Sequence, residues 1–247
     1  MTISPLSLIG LAVVLLLLFS VWGKNNPRRA LRPIKAFREL QRTIELSVED
    51  GSRLQISLGQ GGLLGPQSAA AFAGLTLLQQ IADIASDSDQ APVATTGDGT
   101  LMLLAQDTLR SSYARVGIRE LYHSRLGRVT GLTPFSYAAG TLPLILDRSV
   151  SANALVGSFG AEAGLITFAS QRSGGFTLGG GDRLSVQSIL FASAEEPLIG
   201  EELYATGAYT NAGTAHQASL RMQDVLRWLL ILLILFAALS PLFAGLQ

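Results

Sequence analysis

The sequence predicts an α/β protein, a doubly wound, mainly parallel, Rossmann-like sheet flanked by N- and C-terminal transmembrane helices. Three observations predict it. Every charged residue lies between Lys24 and Arg227, so both ends are neutral, apolar segments of membrane-spanning length. Between them, short apolar runs alternate with longer stretches of helical periodicity. The runs break into glycine-rich turns before each helix, the pattern of crossover connections between parallel strands.

The first anchor covers residues 5–22 and the second 228–246, and roughly 20 apolar residues at about 1.5 Å each match a hydrocarbon core about 30 Å thick. Residues 1–23 carry no basic stretch ahead of the apolar run, which argues for an uncleaved anchor over a signal peptide. Trp228 stands at the charged edge of the second anchor, as interfacial residues do. Four segments result: an N-terminal transmembrane helix at 1–23, a basic juxtamembrane amphipathic helix at 24–49, a cytoplasmic α/β domain at 50–212, and a long helix at 213–247 continuing into the C-terminal transmembrane helix.

Element by element, Ile34, Phe37, Leu40, Ile44 and Val48 form one helical stripe, able to pack on the domain or lie on the bilayer. A strand at 54–58 breaks into the turn 59–65. Pro66 is placed to open a helix with Phe72, Leu75, Leu78 and Ile81 on its buried face. The second round has a strand at 92–95, a turn at 96–99, and a helix ending near Gly117 with Leu101, Leu104, Thr108 and Leu109 inward. Residues 122–133 read as a loop or short hairpin, after which Thr133 and Pro134 cap and open another helix. A third round takes 152–156, the turn 157–160 and a helix at 161–172; a fourth takes 176–178, the turn 179–182 and a helix at 183–194. Residues 197–209 read as a helix, and Thr214 is placed to start a long one running through Arg227 without a linker.

Charge fixes the expected orientation. Residues 24–42 carry seven basic residues against one acidic, while 43–227 carry eleven against seventeen. Positive charge is retained on the cytoplasmic side, so the body should face the cytoplasm with both termini outside, in a two-pass arrangement in the inner membrane. The basic collar suits an anionic leaflet, and the acidic body disfavours nucleic acid as a partner. The absence of cysteine removes disulfides, thiolate catalysis and cysteine metal sites. The roughly 200 residues between the anchors suffice for one domain core.

The stretches Ser57-Leu58-Gly59-Gln60-Gly61-Gly62-Leu63-Leu64, Leu132-Thr133-Pro134-Phe135-Ser136-Tyr137-Ala138-Ala139-Gly140 and Glu196-Pro197-Leu198-Ile199-Gly200-Glu201-Glu202-Leu203 resemble a family of two-pass prokaryotic membrane proteins known only as a domain of unknown function. The resemblance covers most of the chain, both anchors included. It implies a membrane location and supplies no activity, ligand or catalytic residue.

In an open parallel sheet, ligands sit beyond the carboxyl ends of the strands, so the candidate ligand-binding residues are those of the turns: Gly59, Gly61, Gly62, Gly97, Asp98, Gly157, Ser158, Gly180 and Asp182. Gly59, Gly61 and Gly65 approach a dinucleotide fingerprint. However, Leu64 stands where its third glycine belongs, and Thr95 and Thr96 stand where the ribose-binding acid belongs. The only lysines, Lys24 and Lys35, sit beside the membrane, so the body has no P-loop lysine. Ser158 misses a nucleophile elbow by one position, and neither histidine, His123 nor His216, neighbours a nucleophile in sequence. Asp98 and Asp182 read first as helix N-caps, and Glu195, Glu196, Glu201 and Glu202 as a solvated acidic face rather than a cation site.

No catalytic residue, metal or cofactor is assigned on this reading. Two functions remain. One is a structural subunit that self-associates or joins a larger membrane complex, with small-residue surfaces such as Ser68-Ala69-Ala70-Ala71 and Ala73-Gly74 as contacts. The other is a membrane-tethered sensor or enzyme binding a small anionic molecule at the glycine turns, where helix N-termini offer free N–H groups.

Overall fold

A computed structural model describes residues 5–25, 31–85, 88, 90–210 and 212–244. In chain order the elements are α1 (Pro5–Asn25), α2 (Lys35–Glu49), β1 (Arg53–Gly59), α3 (Ser68–Ala85), β2 (Val93–Thr96) and α4 (Gly99–Val116). Two single 3-10 turns lead into β3 (Gly127–Val129), then α5 (Pro134–Ile145), β4 (Val150–Ser158), α6 (Glu162–Ser173) and β5 (Phe176–Gly181). After α7 (Leu184–Ser193) and β6 (Glu196–Leu198) come a 3-10 turn at Gly200–Leu203, α8 (Thr206–Tyr209) and α9 (Thr214–Ala244). The chain forms two compact units, residues 32–210 and the two ends, 1–31 with 211–247.

In the terminal unit α1 and α9 pack against each other. The α9 stretch Thr214–Leu239 is long and apolar enough to cross a membrane, and of its residues only Ala218 is buried. By length and composition α3 passes the same test, but more than half of it is buried in the body. Burial, not hydropathy, separates a core helix from a candidate span.

The body is built on one sheet of order β3-β2-β1-β4-β5-β6, every adjacent pair parallel. From β1 the chain steps outward to β2 and β3, crosses back through α5 to β4 beside β1, and steps outward again to β5 and β6. That order is the doubly wound arrangement the sequence predicts, with its switch point between β1 and β4. Ser57 lies opposite both Thr95 and Leu155, and Gln55 opposite Asn153, so these residues share one face. Leu54, Ile56, Leu58, Ala154 and Val156 project from the other.

Each face has its own core. Leu54, Ile56, Leu58 and Val156 pack with buried residues of α2, α3 and α4. On the opposite face Leu155 packs with Tyr137, Ile145, Phe159, Ile166 and Leu190 beneath α5, α6 and α7. The second face also holds a buried polar strip. The Gln55 amide Nε2 donates to Thr95 Oγ1 at 2.8 Å, and the Tyr137 hydroxyl stands 3.3 Å from the same oxygen. Burial pushes the Tyr137 phenol pKa up, so the hydroxyl keeps its proton.

The stripe of α2 is buried in the body, with Phe37 stacked on Tyr209 at 5.0 Å between ring centroids and Lys35 paired with Glu196. Thr133 caps and Pro134 opens α5, as the sequence predicts, and Ser136 completes a capping box with Thr133.

Several local expectations are corrected. Phe72 is exposed, while Leu75, Leu78 and Ile81 are buried as expected. Residues 122–133 hold a parallel edge strand, β3, rather than a hairpin. Its three residues are fastened by Gln106, whose side chain donates to the carbonyls of Ser124 at 3.0 Å and Gly127 at 2.8 Å. The predicted helix at 197–209 begins instead as edge strand β6, where Pro197 is tolerated because an edge strand has one unpaired side. Glu196 is buried and paired, not part of a solvated face. Gly179, Gly180 and Gly181 belong to β5, not to a turn; lacking Cβ atoms, they let Leu190, Leu198, Leu203 and Val186 settle onto the sheet. Ala70, Ala71 and Gly74 are likewise buried inside the body and form no outward contact surface.

Gly74 offers a test of this packing. A methyl group there would overlap the Val156 carbonyl oxygen, which belongs to a sheet backbone that cannot yield. Helix propensity favours alanine by about 1 kcal/mol, but overpacking costs about 1–3 kcal/mol or more, so the clash should dominate. Gly74→Ala should therefore lower the melting temperature of the detergent-solubilised chain. Gly99→Ala, where nothing stands within 4 Å, should not.

Candidate functional site

At the switch point three strand ends meet. The Gln60 N–H donates to the Ser158 carbonyl at 2.8 Å, joining the loop after β1 to the end of β4. The Gly97 N–H and the Thr96 hydroxyl both donate to the Gly59 carbonyl at 2.9 Å, joining it to the end of β2. Gly59 takes a left-handed φ of 74°, which glycine adopts without a steric penalty. A Cβ at Gly59 would overlap the Ser158 carbonyl, and one at Gly157 the Leu58 carbonyl. Gly61 lies over Ser158, where an added Cβ would fall 2.8 Å from the serine Cβ.

The structure thus gathers Gly59, Gly61, Gly62, Gly97, Asp98, Gly157 and Ser158 around one crevice. Gly180 and Asp182 are not part of it. Gly180 faces Leu198 and Leu203, and Asp182 follows β5, one strand farther out. Asp98 is the N-cap of α4, its Oδ1 accepting from the Leu101 N–H at 2.8 Å and the Thr100 hydroxyl at 2.6 Å. Asp182 is not a cap: the N-cap position of α7 belongs to Arg183, and the Asp182 Oδ1 is buried without a hydrogen bond among the described residues.

Three further side chains shape the crevice. Gln60 packs against Gly97 with its Nε2 buried and unbonded among the described residues. Glu162, only 1% exposed, opens α6 and accepts from the Gly160 N–H at 2.7 Å through Oε1. Its Oε2 is also buried without a partner among the described residues. Phe159 is buried between them and Tyr137, their rings 6.5 Å apart. An acid in the first turn after a glycine turn was the available sequence signal for Glu162; nothing in the local sequence marks Gln60.

Chemically the crevice offers both hydrogen-bond donors and acceptors. The N–H groups of Gly61, Gly62, Leu63 and Leu64 donate to no described residue, and the Ser158 hydroxyl, on a residue 3% exposed, is also unbonded among them. The acceptors are the carboxylates of Asp98, whose Oδ2 stands 4.0 Å from a Cβ added at Gly62, and of Glu162. Among the described residues no group of three or more His, Asp or Glu side chains is placed to hold a metal ion.

A family model described as "Domain of unknown function (DUF6754)" matches residues 3–246. No curated protein and no solved structure matches the chain significantly.

Burial acts to raise the Asp98 pKa, but hydrogen bonds from the Thr100 hydroxyl and the backbone of Leu101 and Thr100 hold it below its ordinary 3.8. With the folded pKa depressed, the cap's contribution is complete above that pH and is lost as pH falls through the folded value. Asp98→Ala should cost about 0.5–2 kcal/mol of stability at neutral pH. The gap between variant and parent should close in unfolding curves recorded below that pH.

Proposed function

The chain belongs to the DUF6754 family, and on that premise we propose that it is a membrane-anchored assembly subunit. Its two apolar terminal helices cross the inner membrane, its basic collar at residues 24–42 meets the anionic leaflet, and its α/β body lies in the cytoplasm with both termini outside. The body makes contacts with further copies or with a larger membrane complex. The observation that carries this reading is the outward surface of α5, α6 and α7. Neither α5 nor α7 holds a charged residue, and α6 holds Arg172 and the buried Glu162. Phe135, Leu146, Leu165, Phe168, Leu184 and Phe191 are all exposed on or beside these helices. Each such side chain gains about 1.5–3 kcal/mol when fully buried, and an apolar surface of this extent marks a contact site.

A second reading is favoured by the unbonded N–H groups of Gly61 and Gly62 beside the free Ser158 hydroxyl. There the crevice would bind a small anionic molecule and the protein would act as a tethered sensor or enzyme.

Extraction in mild detergent followed by mass measurement tests the first reading. A large ordered particle is expected, and a monodisperse monomer would refute it. Phe168→Glu with Phe191→Glu should shrink the particle while leaving the melting temperature nearly unchanged, since both side chains are exposed. Should Gly61→Val abolish binding of a small anion with assembly intact, the second reading is favoured. The chain has no cysteine, so Ser124→Cys gives a single reporter of orientation: an impermeant thiol reagent should label it only from the cytoplasmic side.

A further inference from the structure

Like charges gather at the two opposite ends of the sheet. At the β3 end, Asp107, Arg110, Ser111 and Ala114 lie along one face of α4, and the chain doubles back so that Arg119 and Tyr122 close a groove of about 470 Å³ with them. This reversal is firmly held. Gly117 caps α4 in the left-handed conformation at φ 87°, the Ile118 N–H donates to the Tyr113 carbonyl at 3.0 Å, and the Tyr122 ring lies 6.2 Å from that of Tyr113. Among the described residues neither Arg110 nor Arg119 forms an ion pair. Arg125 and Arg128 add positive charge just beyond, in the turn before β3 and in β3 itself.

The β6 end is the reverse. Glu195, Glu196, Glu201 and Glu202 fall within eight residues, and no basic residue occurs in 195–210. Glu196 is paired with Lys35, and Glu195 and Glu201 both lie on the surface. The order β3-β2-β1-β4-β5-β6 sets the two ends five strand spacings apart, roughly 24 Å at about 4.8 Å each. Both edge strands are only three residues long and β6 contains Pro197, so neither end is suited to extend the sheet by backbone pairing.

We propose that the protein associates head to tail, the acidic β6 end of one copy seated against the arginine groove at the β3 end of the next. The proposal rests on the assembly reading and names a contact for it. A second copy is the occupant because it carries the complementary charge at the opposite end of the same sheet. Unlike a two-fold contact, a heterologous contact between different ends leaves each copy with one free donor end and one free acceptor end, so it repeats. Glutamates of a neighbouring copy facing Arg110 and Arg119 would also explain why a body acidic overall keeps these two arginines without an ion pair, among the described residues, around one concavity.

Charge swapping tests it on the full chain in detergent, with circular dichroism confirming that each variant folds. Arg110→Glu with Arg119→Glu, and separately Glu195→Arg with Glu201→Arg, should each weaken self-association by about tenfold or more in sedimentation, because like charges then meet. Equimolar mixing of the two variants should restore assembly. Wild-type association should also weaken between about 0.05 M and about 0.5 M salt as the screening length shortens. Wild-type association indifferent to both reversals would overturn the head-to-tail contact and leave the assembly reading standing. So would sensitivity to the arginine reversal alone, which assigns the groove to another anionic ligand. A wild-type chain that does not associate at all would overturn both.

Discussion

The close approach of β1 and β4 governs this fold. At their carboxyl ends the two backbones come so near that glycine is required at Gly59 and Gly157, each facing a carbonyl of the other strand. The same seam admits α3 through Gly74, which rests on the Val156 carbonyl. Since β1 and β4 begin the two outward progressions of strands, any side chain wedged into the seam would separate the halves of the sheet and the helices each half carries. The glycines are thus explained by packing before any ligand is invoked, and the chemistry of the crevice rests on groups other than glycine: Ser158, Gln60, Glu162 and the unbonded loop amides.

This constraint also explains what could be read from the sequence. The alternation of strand and helix, the doubly wound class and the caps at Asp98 and Thr133 were legible because each depends on residues within a few positions of one another. What failed depended on distant partners. β3 is only Gly127–Val129, apolar at one position, and is held by Gln106 some twenty residues earlier, so no local period reveals it. The glycines of β5 look like a turn in sequence, and only the neighbouring Leu190, Leu198 and Leu203 show that they make room for packing. Asp182 follows a glycine as Asp98 does, but Arg183 separates it from α7 and takes the cap position. Of the candidate site, the seven crevice residues were legible as glycine-rich positions at strand ends, although Gly59 closes β1 and Gly157 and Ser158 close β4 rather than lying in turns; Glu162 had only the signal of an acid opening a helix, and Gln60 had none.

The distribution of polarity over the body is uneven in a way the core does not require. Beneath α5 the sheet carries Gln55, Ser57 and Thr95, met by Tyr137 of α5, where an apolar layer would serve, while the outward surfaces of α5, α6 and α7 carry phenylalanine and leucine where charge would serve. A hydrogen-bonded polar strip fixes the seating of a helix more specifically than apolar contact does. A helix layer seated in this way presents its outer side chains as a defined surface, the condition for a repeatable contact.

Energetics link the anchors to the charged ends. An exposed ion pair contributes about 0–1 kcal/mol, so a few glutamates against a few arginines add register to the apolar contact of α5, α6 and α7 rather than replacing it. On the proposed reading the copies are confined to one bilayer and face the same way. Confinement raises the effective concentration of one end for the next without any new contact, as a tether does. Contacts measurable in three dimensions are then strengthened in two, and their modest strength allows misjoined copies to separate and rejoin in register. A tighter soluble interface would assemble before insertion, when nothing yet aligns the copies. On that reading, neutral apolar ends, a basic collar and oppositely charged sheet edges are parts of one physical arrangement, in which the membrane adds orientation and concentration to the body's surface chemistry.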